Sequence, residues 1–168
     1  MALIQACPLP PDALLARYAA KGAYADCYAI DVPGPVSFPA FVEAFYTGAF
    51  FKLELGLLGL IGKPSSNQDA RRLAAGEIGN FSGWRVEDRA ADQLMMCDLG
   101  GGLTRSWLMA APAPAGGTRL YFGSAVLPKR DKATGETRMS ALFTPLLGFH
   151  RLYSRILLSD ARARLAAS

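Results

Sequence analysis

The chain has 168 residues, of which 51% are hydrophobic, 19% charged and 10% aromatic. This length fits one domain with a sizeable core, and this composition excludes an intrinsically disordered chain. The net charge of +4 comes from the part after residue 128, where eight basic and three acidic residues predict a solvated helix face and no nucleic-acid partner.

The N-terminal part of the chain is predicted to hold a short helix followed by a strand. The helix opens at Pro10-Pro11-Asp12 and is closed by Gly22, so that residues 1–22 form a helical extension. Apolar side chains then alternate over Tyr24–Val32, which predicts a strand. Pro33-Gly34-Pro35 stops this strand.

Three helices are predicted to follow. Ser37 is expected to be the N-cap of a helix beginning FPAFVEAFY, whose apolar residues repeat at helical spacing. The glycine-punctuated segment AFFKLELGLLGLIG (49–62) predicts a second, kinked helix. Ser66 with Asp69 three residues later resembles a capping box, which predicts a third helix over Asn67–Ala75.

The rest of the chain predicts an antiparallel meander and a long terminal helix. From Gly79 the apolar period changes from helical to twofold, and the turns RAAD, GGG and PAPAGG separate the runs. After Pro128 a charged loop leads to an amphipathic helix from about Arg138 to Ala166, which Pro145 either starts or kinks. The whole chain is therefore predicted to be a single α+β domain. The predicted strands are Gly83–Asp88, Gln93–Leu99, Leu103–Ala111 and Thr118–Leu127.

This order of elements resembles the START-type (SRPBCC) superfamily. The stretches LTRSWLMAAPA (103–113), TRLYFGSAVLP (118–128) and LLGFHRLYSRILL (146–158) resemble, more closely, a family of uncharacterised bacterial proteins with the same fold. The resemblance covers residues 24–165 and implies the helix-grip fold, an antiparallel sheet wrapped around a long C-terminal helix with a cavity between them. It further implies hydrophobic small-molecule ligands, and in some members cyclase, aromatase or hydrolytic chemistry, with no catalytic signature to transfer.

Cysteine usage and hydropathy predict a cytoplasmic protein. Cys7, Cys27 and Cys97 are far apart in sequence and form no CxxC pair, which argues against a disulfide framework and predicts reduced thiols. With a single histidine we expect no metal site, and no other cofactor. Charged residues interrupt the apolar stretch 38–61, which argues against a transmembrane helix, and residues 1–20 do not resemble a signal peptide.

His150 is the first candidate for a functional residue. On a helical projection it lies on the apolar arc of the terminal helix, so it is predicted to point toward the sheet. Two interpretations remain open. It is either a core histidine satisfied by a carbonyl or by Tyr153, or a group that contacts a ligand or transfers protons. The other members of the apolar arc are Leu146, Phe149, Ile156 and Leu157.

Arg105 is the second candidate, since it alternates with apolar residues and is predicted to face the concave side of the sheet. A buried arginine needs a carboxylate or a ligand anion. A two-residue turn would place Asp98 diagonal to it and predicts an ion pair, whereas a three-residue turn would not. Asp26 with Tyr28 forms either a polar patch or a solvent-facing edge. The aromatic candidates for a pocket lining, which could equally be plain core, are Trp84, Trp107, Tyr121 and Phe122.

Three functions follow from these observations. The favoured one is a binding domain for a hydrophobic or aromatic small molecule that sits between the sheet and the terminal helix. The second is a cyclase-like or hydrolase-like enzyme with His150 as acid–base group, aided by Arg105 or Tyr153. The third is an interaction module, in which residues 50–61 and the basic helix dock a partner protein, a second copy as a homodimer, or an anionic membrane surface.

Overall fold

The computed structural model describes residues 3–48, 51, 65–130, 137–138 and 143–167. This part of the chain is α+β, with an open antiparallel sheet and a long C-terminal helix. The elements in chain order are β1 (Gln5–Ala6), α1 (Ala16–Ala19), β2 (Tyr24–Val32), α2 (Phe38–Tyr46), α3 (Asn67–Ala74), β3 (Asn80–Phe81), β4 (Trp84–Arg89), β5 (Gln93–Asp98), β6 (Thr104–Pro112), β7 (Thr118–Val126), β8 (Lys129–Arg130), β9 (Thr137–Arg138) and α4 (Phe143–Ala167).

Seven of the described strands form one sheet in the order β1-β2-β7-β6-β5-β4-β3, while β8 pairs only with β9. In the meander β3 to β7, each strand pairs with the next strand along the chain. Strand β2 pairs with β7, although the two strands are far apart in sequence. The register of β2 with β7 runs from Tyr24 opposite Val126 to Val32 opposite Thr118. The β6–β7 turn contains Gly116 at φ +89° and Gly117 at φ +85°, conformations that favour glycine.

Most predicted elements are confirmed, several of them with the predicted bounds. Ser37 caps α2 by accepting the N–H of Ala40, and Ser66 with Asp69 forms the predicted capping box of α3. The N-terminal helix was predicted too long, since α1 has four residues, and the short strands β1, β3, β8 and β9 were missed. Helix α4 begins at Phe143 rather than near residue 138. The helix predicted over residues 49–62 falls outside the described residues, apart from one position.

Helices α2, α3 and α4 pack on one face of the sheet, which we call the helix face. The strands contribute alternate residues to it, and the core there is built largely from aromatic side chains. Phe45 contacts Phe122 of β7 with ring centroids 5.0 Å apart. The buried residues of α4 that pack against this core include Leu157, Leu158 and Ala161. This packing places α4 against β2 and β7 and orients the side chains on its inner side toward the sheet.

The N-terminal segment 7–18 covers the opposite face of the sheet, which we call the N-terminal face. Its core centres on the fully buried Trp107, and Leu15 packs beside it. Gln93 fixes this segment by accepting the N–H groups of Leu14 and Trp107 and by donating to the carbonyl of Asp12. Both faces of the sheet are therefore covered. In the described part of the chain, no helix has the length and apolarity of a membrane span.

Candidate functional site

A polar cluster of Asp26, Ser124 and His150 lies where helix α4 meets the sheet. Asp26 on β2 and Ser124 on β7 are directly opposite each other in the register. His150 reaches them from α4, with Nε2 2.6 Å from the Ser124 hydroxyl and 3.3 Å from Oδ2 of Asp26. The cluster thus joins the sheet to the terminal helix on the helix face.

The hydrogen bonds of this cluster fix the roles of its protons. The Ser124 hydroxyl donates to Oδ1 of Asp26 at 2.6 Å, so its single proton is committed to the carboxylate. The hydroxyl oxygen then accepts from Nε2–H of His150, which also points at Asp26. In this assignment the imidazole is a donor at Nε2. Ser124 is not arranged as a nucleophile activated by a histidine base, because such a serine gives its proton to the imidazole.

Asp26 is held as a carboxylate. Its side chain is only 11% exposed, and burial alone would raise its pKa. Hydrogen bonds from His150, Ser124 and Tyr24 outweigh that effect and lower the pKa of Asp26 below its ordinary value. The Tyr24 hydroxyl supplies the third of these bonds, at 3.2 Å from Oδ2. The result is a fixed negative charge beside a half-buried imidazole.

A cleft of about 290 Å³ adjoins this cluster at the edge of the sheet. Arg151 and Arg155 of α4 overhang it, and both are exposed. Arg155 lies over the ring of Tyr28, 5.6 Å from its centroid, and Arg151 hydrogen-bonds Tyr24. Burial and the charge of Asp26 raise the pKa of Tyr28 to about 12. The lining residues are Ala6, Cys7, Tyr24, Ala25, Asp26, Cys27, Tyr28, Arg151 and Arg155.

The sequence-predicted site residues are divided between the two faces of the sheet. His150 lies in the polar cluster, and Tyr153 and Trp84 pack in the core of the helix face. Trp107 and Tyr121 lie instead on the N-terminal face, with ring centroids 6.2 Å apart. The six residues named from the sequence therefore do not line one common site.

Arg105 also lies on the N-terminal face, so its predicted orientation toward the terminal helix is wrong. Its Nε lies 2.5 Å from Glu87 and it stacks on the ring of Tyr18, 4.8 Å from the centroid. Glu87 also binds Arg17, which ties the N-terminal segment to β4. Asp98, the partner that a two-residue turn would have supplied, instead caps the glycine turn by accepting the N–H groups of Gly102 and Thr104.

Sequence reasoning missed or undervalued two residues of the polar cluster, Asp26 and Ser124, and the structural partner of Arg105, Glu87. From the sequence a solvent-facing edge explains Asp26 equally well, and no local signal marks Ser124 as a partner of the histidine. Alternation along β7 places Ser124 on the same face as Phe122, but only the β2–β7 register brings it to Asp26. Glu87 was hidden by a β-bulge between Val86 and Asp88, which breaks the twofold pattern.

Within the described ranges no group of three or more His, Cys, Asp or Glu side chains is arranged to hold a metal ion. No protein-family model matches this chain. A search of curated proteins gave no significant match either.

Proposed function

We propose that the protein is a small-molecule-binding domain of the helix-grip type, with its ligand in the cleft between the edge of β2 and helix α4. The observation that carries this proposal is the cleft itself, in which two arginines overhang two tyrosines beside a fixed carboxylate. Its volume of about 290 Å³ lies near the lower end of the range for ligand pockets. The resemblance to the START-type superfamily supports the same class of function.

The residues of the cleft favour a ligand with an aromatic body and one negative charge. The partly exposed ring of Tyr24 suits flat apolar groups, whereas Tyr28 is 3% exposed and lies beneath Arg155. Arg151 and Arg155 each have five N–H donors in the guanidinium group, which is more than a contact with one tyrosine uses, so donors remain for a ligand. A carboxylate can accept two parallel hydrogen bonds from one guanidinium group. An aromatic carboxylate is therefore the chemical class that matches the cleft best.

Titration of the purified protein with a matched pair of probes tests this proposal. 1-Naphthoate and 1-naphthalenemethanol share a ring system and differ in charge, and binding is followed by amide chemical shifts in β2 and α4. We expect the naphthoate to bind and the alcohol to bind more weakly. Arg151→Ala and Arg155→Ala should each weaken naphthoate binding by about tenfold, the size of one charge-assisted hydrogen bond.

Arg164→Ala is the control, because Arg164 is exposed on the same helix and does not line the cleft. It should leave naphthoate affinity unchanged. Equal binding of acid and alcohol would remove the anion preference. Shifts confined to residues remote from the cleft, or no shifts with either probe, would overturn the proposed site.

An acid–base enzyme is the second candidate, because an imidazole, a carboxylate and a hydroxyl are in contact beside the cleft. In this case His150 would transfer protons and Asp26 would stabilise its charged form. Ester hydrolysis by the wild type and by His150→Gln distinguishes this function from binding alone. Arg164→Ala, exposed on the same helix and outside the cleft, is the control that should retain activity. Equal rates for wild type and His150→Gln would eliminate the enzymatic role.

A further inference from the structure

Two of the three cysteines, distant in sequence, are neighbours in the fold. Cys7 and Cys27 have their Sγ atoms 3.5 Å apart, and the N–H of Cys7 donates to the carbonyl of Cys27 at 3.0 Å. Gln5 pairs with Ala29 and Ala6 with Tyr28. Continuing this antiparallel register by one residue places Cys7 directly opposite Cys27.

This placement is compatible with a disulfide bond. Directly opposite residues of antiparallel strands have Cα atoms about 4.5–5.5 Å apart, within the usual range for disulfide-bonded cysteines. The two sulfur atoms need to approach by only about 1.5 Å to reach bonding distance. Both thiols are free in the structure. The two thiols are therefore aligned for bond formation.

The two thiols differ in exposure and in acidity. Cys7 is partly exposed and Cys27 is 3% exposed, although both line the cleft. The hydrogen bond with Cys27, aided by the positive charge of Arg119, lowers the pKa of Cys7 to about 7. The same hydrogen bond and burial raise the pKa of Cys27. A thiol whose pKa is near ambient pH is the better attacking group, so Cys7 suits the first step.

We propose that Cys7 and Cys27 form a redox-active dithiol that exchanges with small-molecule disulfides. In the first step the Cys7 thiolate attacks one sulfur of the disulfide RSSR, forming a mixed disulfide and releasing RS⁻, which takes up a proton. In the second step the Cys27 sulfur attacks Sγ of Cys7, releases the second RSH and closes the Cys7–Cys27 bond. The two protein thiols lose two electrons and two protons in total, and RSSR is reduced to two RSH.

Cys97 provides an internal comparison. It is 4% exposed, and its thiol donates to the carbonyl of Asp98 rather than to another cysteine. Its neighbour across the ladder is Arg105 rather than a cysteine, so Cys97 is buried and has no resolving thiol opposite it. The redox function thus belongs to the pair and not to cysteine content in general.

Incubation of the reduced full-length protein with glutathione disulfide tests the proposal. After an acid quench, the intact mass and the tryptic peptides report the state of each thiol. We expect a monomer lighter by two hydrogen atoms, with the peptide containing Cys7 linked to the peptide containing Cys27. This measurement on the wild type does not depend on the folding of any variant.

Three variants separate the two steps of the exchange. Cys27→Ser should accumulate a stable glutathione adduct on Cys7, because no resolving thiol remains. Cys7→Ser should slow the loss of free thiol by about tenfold or more, since the buried Cys27 is a poor attacking group. Cys97→Ser should behave as the wild type. A wild type that stays reduced, that keeps a glutathione adduct without an internal bond, or that links through Cys97 would overturn the proposal.

Discussion

Asp26 and Ser124 face each other across strands β2 and β7, and one carboxylate oxygen of Asp26 accepts hydrogen bonds from both the backbone N–H and the hydroxyl of Ser124. The backbone N–H donates at 3.2 Å and the hydroxyl at 2.6 Å. The other carboxylate oxygen faces Tyr24 and His150. Asp26 therefore connects two strands and a helix, and both its charge and its position contribute to the fold at the border of the cleft.

Replacing Asp26 by asparagine should destabilise the protein at neutral pH. Asparagine keeps the shape and one acceptor oxygen, but it loses the charge that His150, Ser124 and Tyr24 stabilise. Hydrogen bonds to a charged group contribute about 1.5–3 kcal/mol each, so we expect a loss of about 2 kcal/mol at pH 7. Urea denaturation of wild type and Asp26→Asn at matched pH measures the difference.

The difference in unfolding free energy between wild type and Asp26→Asn is also expected to depend on pH. The pKa of Asp26 is lower in the folded state than its ordinary value of 3.8. The stability that it contributes is therefore complete above pH 3.8 and is lost as the pH falls through the folded pKa. The gap between wild type and Asp26→Asn should narrow below pH 4. A gap of the same size at pH 3 and pH 7 would contradict the assigned charge.

Arg105 should be important for stability and irrelevant to ligand binding. Its side chain is 10% exposed and pairs with Glu87, so Arg105→Met leaves that carboxylate largely buried without its closest cation. We expect a loss of about 3 kcal/mol, the lower end for a broken buried pair. Arg85→Met, at an exposed position on β4, the strand of Glu87, should change stability by less than about 0.5 kcal/mol.

Naphthoate affinity provides the second measurement on Arg105→Met. Arg105 lies on the N-terminal face and not in the cleft, so the affinity of the folded variant should match that of the wild type. A folded Arg105→Met that loses affinity would restore the original prediction that this arginine contacts the ligand.

The sequence predicted the long strands and helices α2 and α3 well, because strong local signals bound these elements. Strand β2 matches its predicted range, since Pro33-Gly34-Pro35 leaves it no continuation. Helix α2 starts where Ser37 can cap it. The four long strands of the meander were found within two residues, because short polar or glycine-rich turns separate them.

The sequence could not predict which face of the sheet each side chain would occupy. Alternation correctly grouped Arg105 with Trp107, but it does not say what covers their common face. The N-terminal segment covers it, and its low helical content gave no amphipathic pattern to suggest this. The contact between Asp26 and Ser124 joins residues 98 positions apart, so it depends on a register that no local signal encodes.

Gly123 should tolerate no side chain. A Cβ atom there would lie 2.8 Å from the carbonyl oxygen of Asp26 and 3.0 Å from both Leu15 and Trp107. The backbone contact cannot be relieved by a rotamer change, so Gly123→Ala should cost about 1–3 kcal/mol, as overpacked cores do. In the matched variant Gly101→Ala, where no heavy atom lies within 4 Å, thermal unfolding should be nearly unchanged. Equal melting temperatures for the two variants would refute the close packing.

Gln93 should hold the N-terminal segment against the sheet. It is 5% exposed, and replacement by leucine keeps the volume but leaves the N–H groups of Leu14 and Trp107 without their acceptor. Each buried donor left unpaired costs about 1–3 kcal/mol, so Gln93→Leu should lose about 2–4 kcal/mol in total. Because the loss is concentrated at the N-terminal segment, tryptic cleavage after Arg17 should accelerate under native conditions.

Gln68→Leu is the matched control for Gln93→Leu, since Gln68 is exposed on α3. It should leave the cleavage rate unchanged. If Gln93→Leu lowers global stability without faster cleavage at Arg17, the hydrogen bonds stabilise the sheet alone. The N-terminal segment would then be held mainly by the burial of Leu15 and by the ion pairs of Arg17 with Glu87 and Asp88.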